Sequence, residues 1–282
     1  MTDLPNMNRA LSIWPVLVLA LFTGHQVASA QTRSPLSHLS DLYISWGYNR
    51  AAFTTSDIHL EGPGYSVTLE DVTATDRPHR FAFDTYFNPK YIWYPQYNYR
   101  IGWQFKEQWS ISLGLDHMKY VMVQDQEVNW TGELSANWER AVTPTLVLDT
   151  NVLRYEHTDG LNLLSVDLDR YHALWTGRSQ RSDLRAYVGV HAGPVIARSD
   201  VRVFGVGLNN RFNVAGAGTG MQAGLHFTFL RHFFVRNMVR AGYITLPHVL
   251  TTGRAEDHAF QHFGFIQHAI VAGGCFRIGG KK

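Results

Sequence analysis

Histidine and carboxylate occur together at three places in this chain, the first of them with a serine: Ser56, Asp57 and His59; Asp116 and His117; Glu156 and His157. A hydroxyl activated by an imidazole that a carboxylate orients is the equipment of acyl transfer and deacylation. The same residue types are common in loops, where they satisfy turns, so a solvated rim is the plainer reading of each group. The fourteen histidines also raise metal binding. Only His258 and His262 have the i, i+4 spacing of a helical metal pair, and the Glu that follows the first His in a zinc-protease motif is missing. They fall in a stretch read as a loop. Most histidines, His59, His79, His191 and His226 among them, read as hydrogen-bonding groups of a rim or an interior, and no metal or cofactor is expected.

The elements that must position these residues are organised around the stretch from Tyr97 to Met122. Tyr97, Tyr99, Ile101, Trp103 and Phe105 alternate with Asn98, Arg100, Gly102 and Gln104; after Lys-Glu-Gln, Trp109, Ile111, Leu113 and Leu115 alternate with Ser110, Ser112, Gly114 and Asp116. A period of two held through both arms predicts a β-hairpin. One face is wholly apolar and the other polar. Trp103, Phe105 and Trp109 gather at the turn, with Tyr97, Tyr99 and, on a neighbouring strand, Trp46 toward the far end, which is the two-girdle arrangement of strands that cross a bilayer. If Phe105 faces Trp109 across a three-residue turn, Arg100 lies opposite Gly114 and Asn98 opposite Asp116. Arg100 and Asp116 are then diagonal neighbours, close enough to pair.

Residues 1–30 read as a signal peptide, with Arg9, an apolar run from Leu11 to Phe22, and Ala28-Ser29-Ala30 before Gln31; cleavage is expected between Ala30 and Gln31. Residues 31–40 read as a lead-in, 41–278 as the barrel and 279–282 as a tail. Twenty-five basic against twenty-three acidic residues give a formal charge of +2, scattered rather than striped, so nucleic acid is not an expected partner. Cys275 is the only cysteine, which excludes an internal disulfide and a thiolate metal cluster.

The same alternation predicts eight strands: Leu42–Phe53, the two arms of the hairpin, Leu161–Tyr171, Leu184–Ile196, Thr219–Leu230, Phe233–Leu246 and Phe263–Ile278. Tyr65–Val72 reads as a further strand inside a long connection from 54 to 96, and Leu146–Tyr155 as a prolongation of the wall within 123–160. Long and short connections alternate, and an even strand number with short turns on one side and long loops on the other is the pattern of an antiparallel up-and-down transmembrane barrel, here all-β with long extracellular loops. Arg100, Asp116, Asp167, Asp169, Arg185, His191 and His226 fall on the inward face and are expected to form a polar network that fills the lumen.

The stretches Tyr43-Ile44-Ser45-Trp46-Gly47-Tyr48-Asn49-Arg50, Asp84-Thr85-Tyr86-Phe87-Asn88-Pro89, Asp116-His117-Met118-Lys119-Tyr120 and Glu156-His157-Thr158-Asp159-Gly160 resemble those of a poorly characterised family of bacterial outer-membrane β-barrel proteins, and the layout is more distantly similar to small eight-stranded outer-membrane proteins. The resemblance implies location and fold, and carries no catalytic residues over. The leading functional expectation is a monomeric barrel with a structural or surface-binding role through its loops. Its partners would be outer-membrane lipid, the barrel-assembly machinery and an extracellular ligand. A lipid-modifying enzyme and a small-solute porin are the alternatives.

Overall fold

Alternating sequences along the chain pair into one large antiparallel sheet in the computed structural model, which describes residues 41–135, 145–207 and 211–277. The expected signal peptide with its Ala30–Gln31 junction, the lead-in 31–40, Ile278 and the tail 279–282 lie outside the described residues. In chain order the elements are β1 (Asp41–Phe53), β2 (Ser56–Gly62), β3 (Tyr65–Val72), β4 (Ala74–Thr75), α1 (Phe83–Phe87), β5 (Tyr97–Lys106), β6 (Trp109–Met122), β7 (Gln126–Leu134), β8 (Thr145–Leu148), β9 (Leu153–Thr176), β10 (Asp183–Arg198), β11 (Asp200–Val203), β12 (Phe212–Phe229), β13 (Phe233–Leu250) and β14 (His258–Arg277).

Eight of these strands close a ring in the order β1-β5-β6-β9-β10-β12-β13-β14, with β14 returning to β1 from Asp41↔Arg277 to Phe53↔Phe265. They are the eight strands the alternation predicts. Closure leaves no free edge in the ring, the condition a sheet must meet in lipid, where an unpaired backbone amide has no water to bond. Ile44, Ile101, Leu113, Val166, Val190, Leu225, Val239 and Ile270 are exposed on the outer face, and the residues between them on each strand turn inward and are buried, so the apolar band faces the bilayer.

Several strands run further than expected. β9 starts at Leu153 rather than Leu161, β12 at Phe212 rather than Thr219, and β14 at His258 rather than Phe263. The added residues of β9 carry Arg154 and Glu156 on the outer face in place of apolar ones, whereas those of β12 keep exposed Phe212 and Val214 but are cut off from the rest of the alternation by Gly216 and Gly218. The hairpin turn is also tighter than expected. Phe105 is bulged between Gln104↔Ser110 and Lys106↔Trp109, so Phe105 does not face Trp109 and only Glu107 and Gln108 lie between the strands. Above the bulge the register is the expected one, Arg100↔Gly114 and Asn98↔Asp116. The β12–β13 turn is Leu230-Arg231-His232, in which Leu230 and Arg231 take φ of 52° and 69°, the left-handed twist that tight hairpins need.

The connection from 54 to 96 is not an open loop. β2 continues the sheet from the upper part of β14 (His258↔Glu61 to Gln261↔Ile58), then β3, β7 and β8 follow edge to edge. β3 is the strand expected at Tyr65–Val72. Of the stretch Leu146–Tyr155, only Leu153–Tyr155 prolong the wall, paired to β11, whereas Leu146–Leu148 pair with β7 in the extension. The inner face of this extension, Ile58, Leu60, Val67 and Leu69, joins Met118, Tyr120, Leu163, Ile244 and Phe263 of the upper lumen in a single apolar cluster. The extension is therefore a cap, seated in the end of the barrel that carries the long connections.

Candidate functional site

The lower half of the lumen, toward the short turns, is filled by paired charge. Arg100 donates from Nη2 to Asp116 Oδ2 at 2.7 Å and from Nε to Asp167 Oδ2 at 2.7 Å. Arg240 bonds the same two carboxylates, Asp116 directly and Asp167 at 3.3 Å. Asn98 and Ser165 donate to the pair as well, to Asp116 and to Asp167 Oδ1. One layer below, Arg236 reaches Asp169 at 3.3 Å and the Tyr171 hydroxyl, and its guanidinium lies 4.8 Å from the ring centre of Tyr187 and 5.4 Å from that of Tyr43. Arg185 sits 4.8 Å above the Tyr171 ring and 3.5 Å from Asp183. Gln222 closes the set on Asp169 at 2.5 Å. Four arginines thus face four aspartates in a space where an unpaired charge would be very costly.

Room for these side chains comes from the opposing strand. A Cβ on Gly114 would stand 2.5 Å from Arg100 Nε and 2.6 Å from Cζ, so the guanidinium occupies the space that a side chain at 114 would fill.

Arg100, Asp116, Asp167, Asp169 and Arg185, singled out from the alternation, all lie in this network. His191 and His226 line the same lumen at its margin: His226 stacks on Phe234 with centroids 4.6 Å apart and accepts from Arg236 at 3.4 Å, while His191 tilts against Phe265. Sequence reasoning missed Arg236 and Arg240. The signal was present in β13, where Phe234, Arg236, Met238 and Arg240 alternate with Val235, Asn237, Val239 and Ala241.

The histidine–carboxylate groups do not assemble. In a strand, successive side chains point to opposite faces, so each consecutive pair is split by the wall. Asp116 points into the lumen, but His117 points out, stacked on Tyr97 at 5.1 Å and bonded to Asn162 at 2.8 Å. His157 points in, 2.7 Å from Ser199, but Glu156 points out. Ser56 points into the cap core, where its hydroxyl bonds Gln261 at 2.9 Å and Tyr120 at 3.2 Å. Asp57 lies on the other face and accepts the Asp71 amide, with His59 beside it bonded to Thr68 at 2.9 Å. His258 and His262 are in β14 rather than in a loop, where four residues span about 13 Å, too far for a shared metal ion. No group of metal ligands is formed among the described residues.

Glu156 belongs to a different arrangement on the outside of the wall. It is 3% exposed, with Oε2 receiving Arg77 at 2.6 Å and Oε1 receiving Arg154 Nε at 2.6 Å; Arg154 also reaches Asp200 at 3.0 Å. Beside these groups opens a cavity of about 540 Å³, lined also by Thr75, Gln124, Thr150 and Tyr155. Nearby, Asp76 accepts the Ala51 amide at 3.0 Å, and burial pushes its carboxyl above the ordinary carboxylate range.

The wall aromatics form two groups. Trp103, Phe105 and Trp109 lie at the turn end, Trp103 against Phe105 at 6.0 Å, and Arg170 covers Trp109. Phe227, Phe229 and Phe233 continue that group on β12 and β13 and were not anticipated. Trp46, Tyr97 and Tyr99 lie nearer the cap, Trp46 paired across to Tyr99.

No family model and no curated protein matches the chain. Among solved structures it is similar to outer membrane protein OprG from Pseudomonas aeruginosa (9% identity, 85% of this chain and 97% of that one, TM-score 0.40), to outer membrane protein AlkL (11%, 86% and 93%, 0.41) and to the attachment invasion locus protein Ail of Yersinia pestis (11%, 84% and 99%, 0.31).

Proposed function

We propose that the chain is a non-conducting outer-membrane barrel that acts at the cell surface through its cap. The observation that supports this reading is the fill of the lumen, ion-paired below and apolar above, with the β2–β3–β7–β8 sheet seated in its mouth. A solute would have to displace both layers to pass. In this reading residues 1–30 direct export, the assembly machinery inserts a monomer, and the long connections lie outside the cell. The rim cavity is the place for a ligand: Arg77, Arg154 and, beside Asp200, Arg202 exceed Glu156 and Asp200 by one positive charge, and Thr75, Gln124 and Thr150 offer hydrogen bonds, which suits an acidic saccharide.

Three measurements test it. Planar-bilayer recording of the purified barrel should show no stable conductance, and a steady open channel would favour the porin alternative. A protease site inserted between Ala74 and Pro78 should be cut on intact cells while one at Lys106–Gln108 is protected; the reverse pattern inverts the orientation. Titration with a uronic acid should give saturable binding that Arg77→Ala weakens, and equal affinity for the neutral sugar would remove the cavity from consideration.

A further inference from the structure

The segment between β4 and β5 carries more exposed aromatic surface than any other short stretch of the described chain. Phe81, Phe83, Phe87 and Trp93 are exposed by 59–72%, and Tyr91 and Tyr94 by 41% and 57%. A patch of this kind on a soluble surface would be an aggregation hazard. Its position is what gives it a use. Pro95, Gln96 and the buried Tyr86 hold the segment against the outside of the wall. The Tyr48 hydroxyl donates to the Tyr86 carbonyl, Arg50 Nη2 reaches the Tyr86 hydroxyl at 2.7 Å, Lys119 donates to the Tyr94 carbonyl at 3.0 Å, and the Asn49 amide donates to the Gln96 carbonyl at 3.1 Å.

The contact surface is continuous with the bilayer-facing wall. Trp46 packs on Tyr48 at 4.5 Å, Tyr48 on Tyr86 at 4.6 Å, and Trp93 on Tyr97 at 5.4 Å. Helix α1 turns Tyr86 toward the barrel and leaves Phe83 and Phe87, stacked on each other at 4.6 Å, on the side away from it. Exposed Arg80 and Lys90 flank these rings. Aromatic rings with cations beside them, next to a membrane wall, match the headgroup boundary, where amphipathic rings partition and cations meet phosphates.

We propose that residues 79–95 form an interfacial anchor, a lateral shelf that lies along the bilayer surface beside β1 and β5 and sets Phe83, Phe87 and Trp93 into the leaflet nearest the cap. The occupant of the aromatic face is lipid. The shelf widens the barrel's hold on one leaflet at one side only, so it also orients the cap relative to the membrane plane. The inference depends on the bilayer-facing wall alone, and stands whether or not the rim cavity binds a ligand.

The test uses the mature barrel with Cys275→Ser, refolded in phosphatidylcholine vesicles and spin-labelled through Phe83→Cys, Phe87→Cys or, on the cap, Ser66→Cys. Heat-modifiable migration in gels verifies folding of each. Collision with oxygen, relative to a water-soluble nickel chelate, should be several-fold higher at 83 and 87 than at 66. Equal, water-like ratios at all three positions would overturn the proposal. Exclusion of both reagents at 83 and 87, with dipolar coupling between labels, would assign the face to a second copy of the chain and overturn it too. A readout without labels is quenching by lipid brominated near the carbonyl, which should fall in Trp93→Phe relative to the wild type; unchanged quenching would count equally against the shelf.

Discussion

The two halves of the lumen share one ring of strands and one pleat, yet are filled in opposite ways. Toward the short turns, Arg100, Arg236 and Arg240 meet Asp116, Asp167 and Asp169 at 1–2% exposure. Toward the cap, Met118, Tyr120, Leu163, Ile244 and Phe263 close on the inner face of β2 and β3. The difference follows from what each end can reach. Turns of two to six residues cannot fold back into a lumen, so the strands' own side chains must fill the lower half, and long charged side chains with partners on facing strands span that width. The upper half has connections long enough to return a sheet of its own, and it packs as a soluble core does.

The contrast can be broken most severely in the lower half. Asp116→Leu leaves Arg100 and Arg240 short of a carboxylate, and we expect a loss of about 3–5 kcal/mol in lipid refolding titrations. Arg100→Met with Asp116→Leu retains the Arg240–Asp167 pair and should be milder than the sum of the single changes; strict additivity would show that the two side chains do not interact. Leu69→Ala, in the cap core, should cost about 2–4 kcal/mol, but its effect should appear as faster hydrogen exchange in β2, β3 and β7 with the ring still protected. Equal loosening of ring and cap would merge the two regions into one cooperative unit. Gly114→Ala should cost about 1–3 kcal/mol by pushing Arg100 off its carboxylates, an effect that the companion Arg100→Met ought largely to remove.

The smallest expected effect is at the seam. Burial raises the Asp76 carboxyl pKa above its unfolded value, so the folded cap prefers that group protonated. The stability it withholds at neutral pH should therefore return as pH falls through the folded pKa. Hydrogen exchange at the β1–cap junction should slow on mild acidification in the wild type and respond less in Asp76→Asn.

What the sequence made legible follows the same division. The ring's strands could be read because lipid enforces apolar residues at every second position, and the Arg100–Asp116 pair because a tight turn sets the register between adjacent arms. Arg240 could not be placed beside Asp116 from the alternation alone, since the two meet only across the closed ring. The cap strands were largely missed: short, with no lipid face, β2 and β7 carry no long alternation. The rim groups were misread for a simpler reason. Asp116 with His117, and Glu156 with His157, are neighbours along the chain and are therefore on opposite sides of the wall.

The reach of Arg240 has a consequence for the order of assembly. Its partner Asp116 lies 124 positions earlier in the chain, and Arg236 meets Asp169 at a separation of 67. Contacts so remote in sequence form late, after the intervening loops have closed. A chain arrested with β13 and β14 undocked would hold Asp116, Asp167 and Asp169 with too few cations, exposed to lipid or trapped water. Completion of the charge balance therefore coincides with sealing of the final seam between β14 and β1, which makes a nearly closed ring an unstable stopping point and leaves the closed one as the only electrically quiet state.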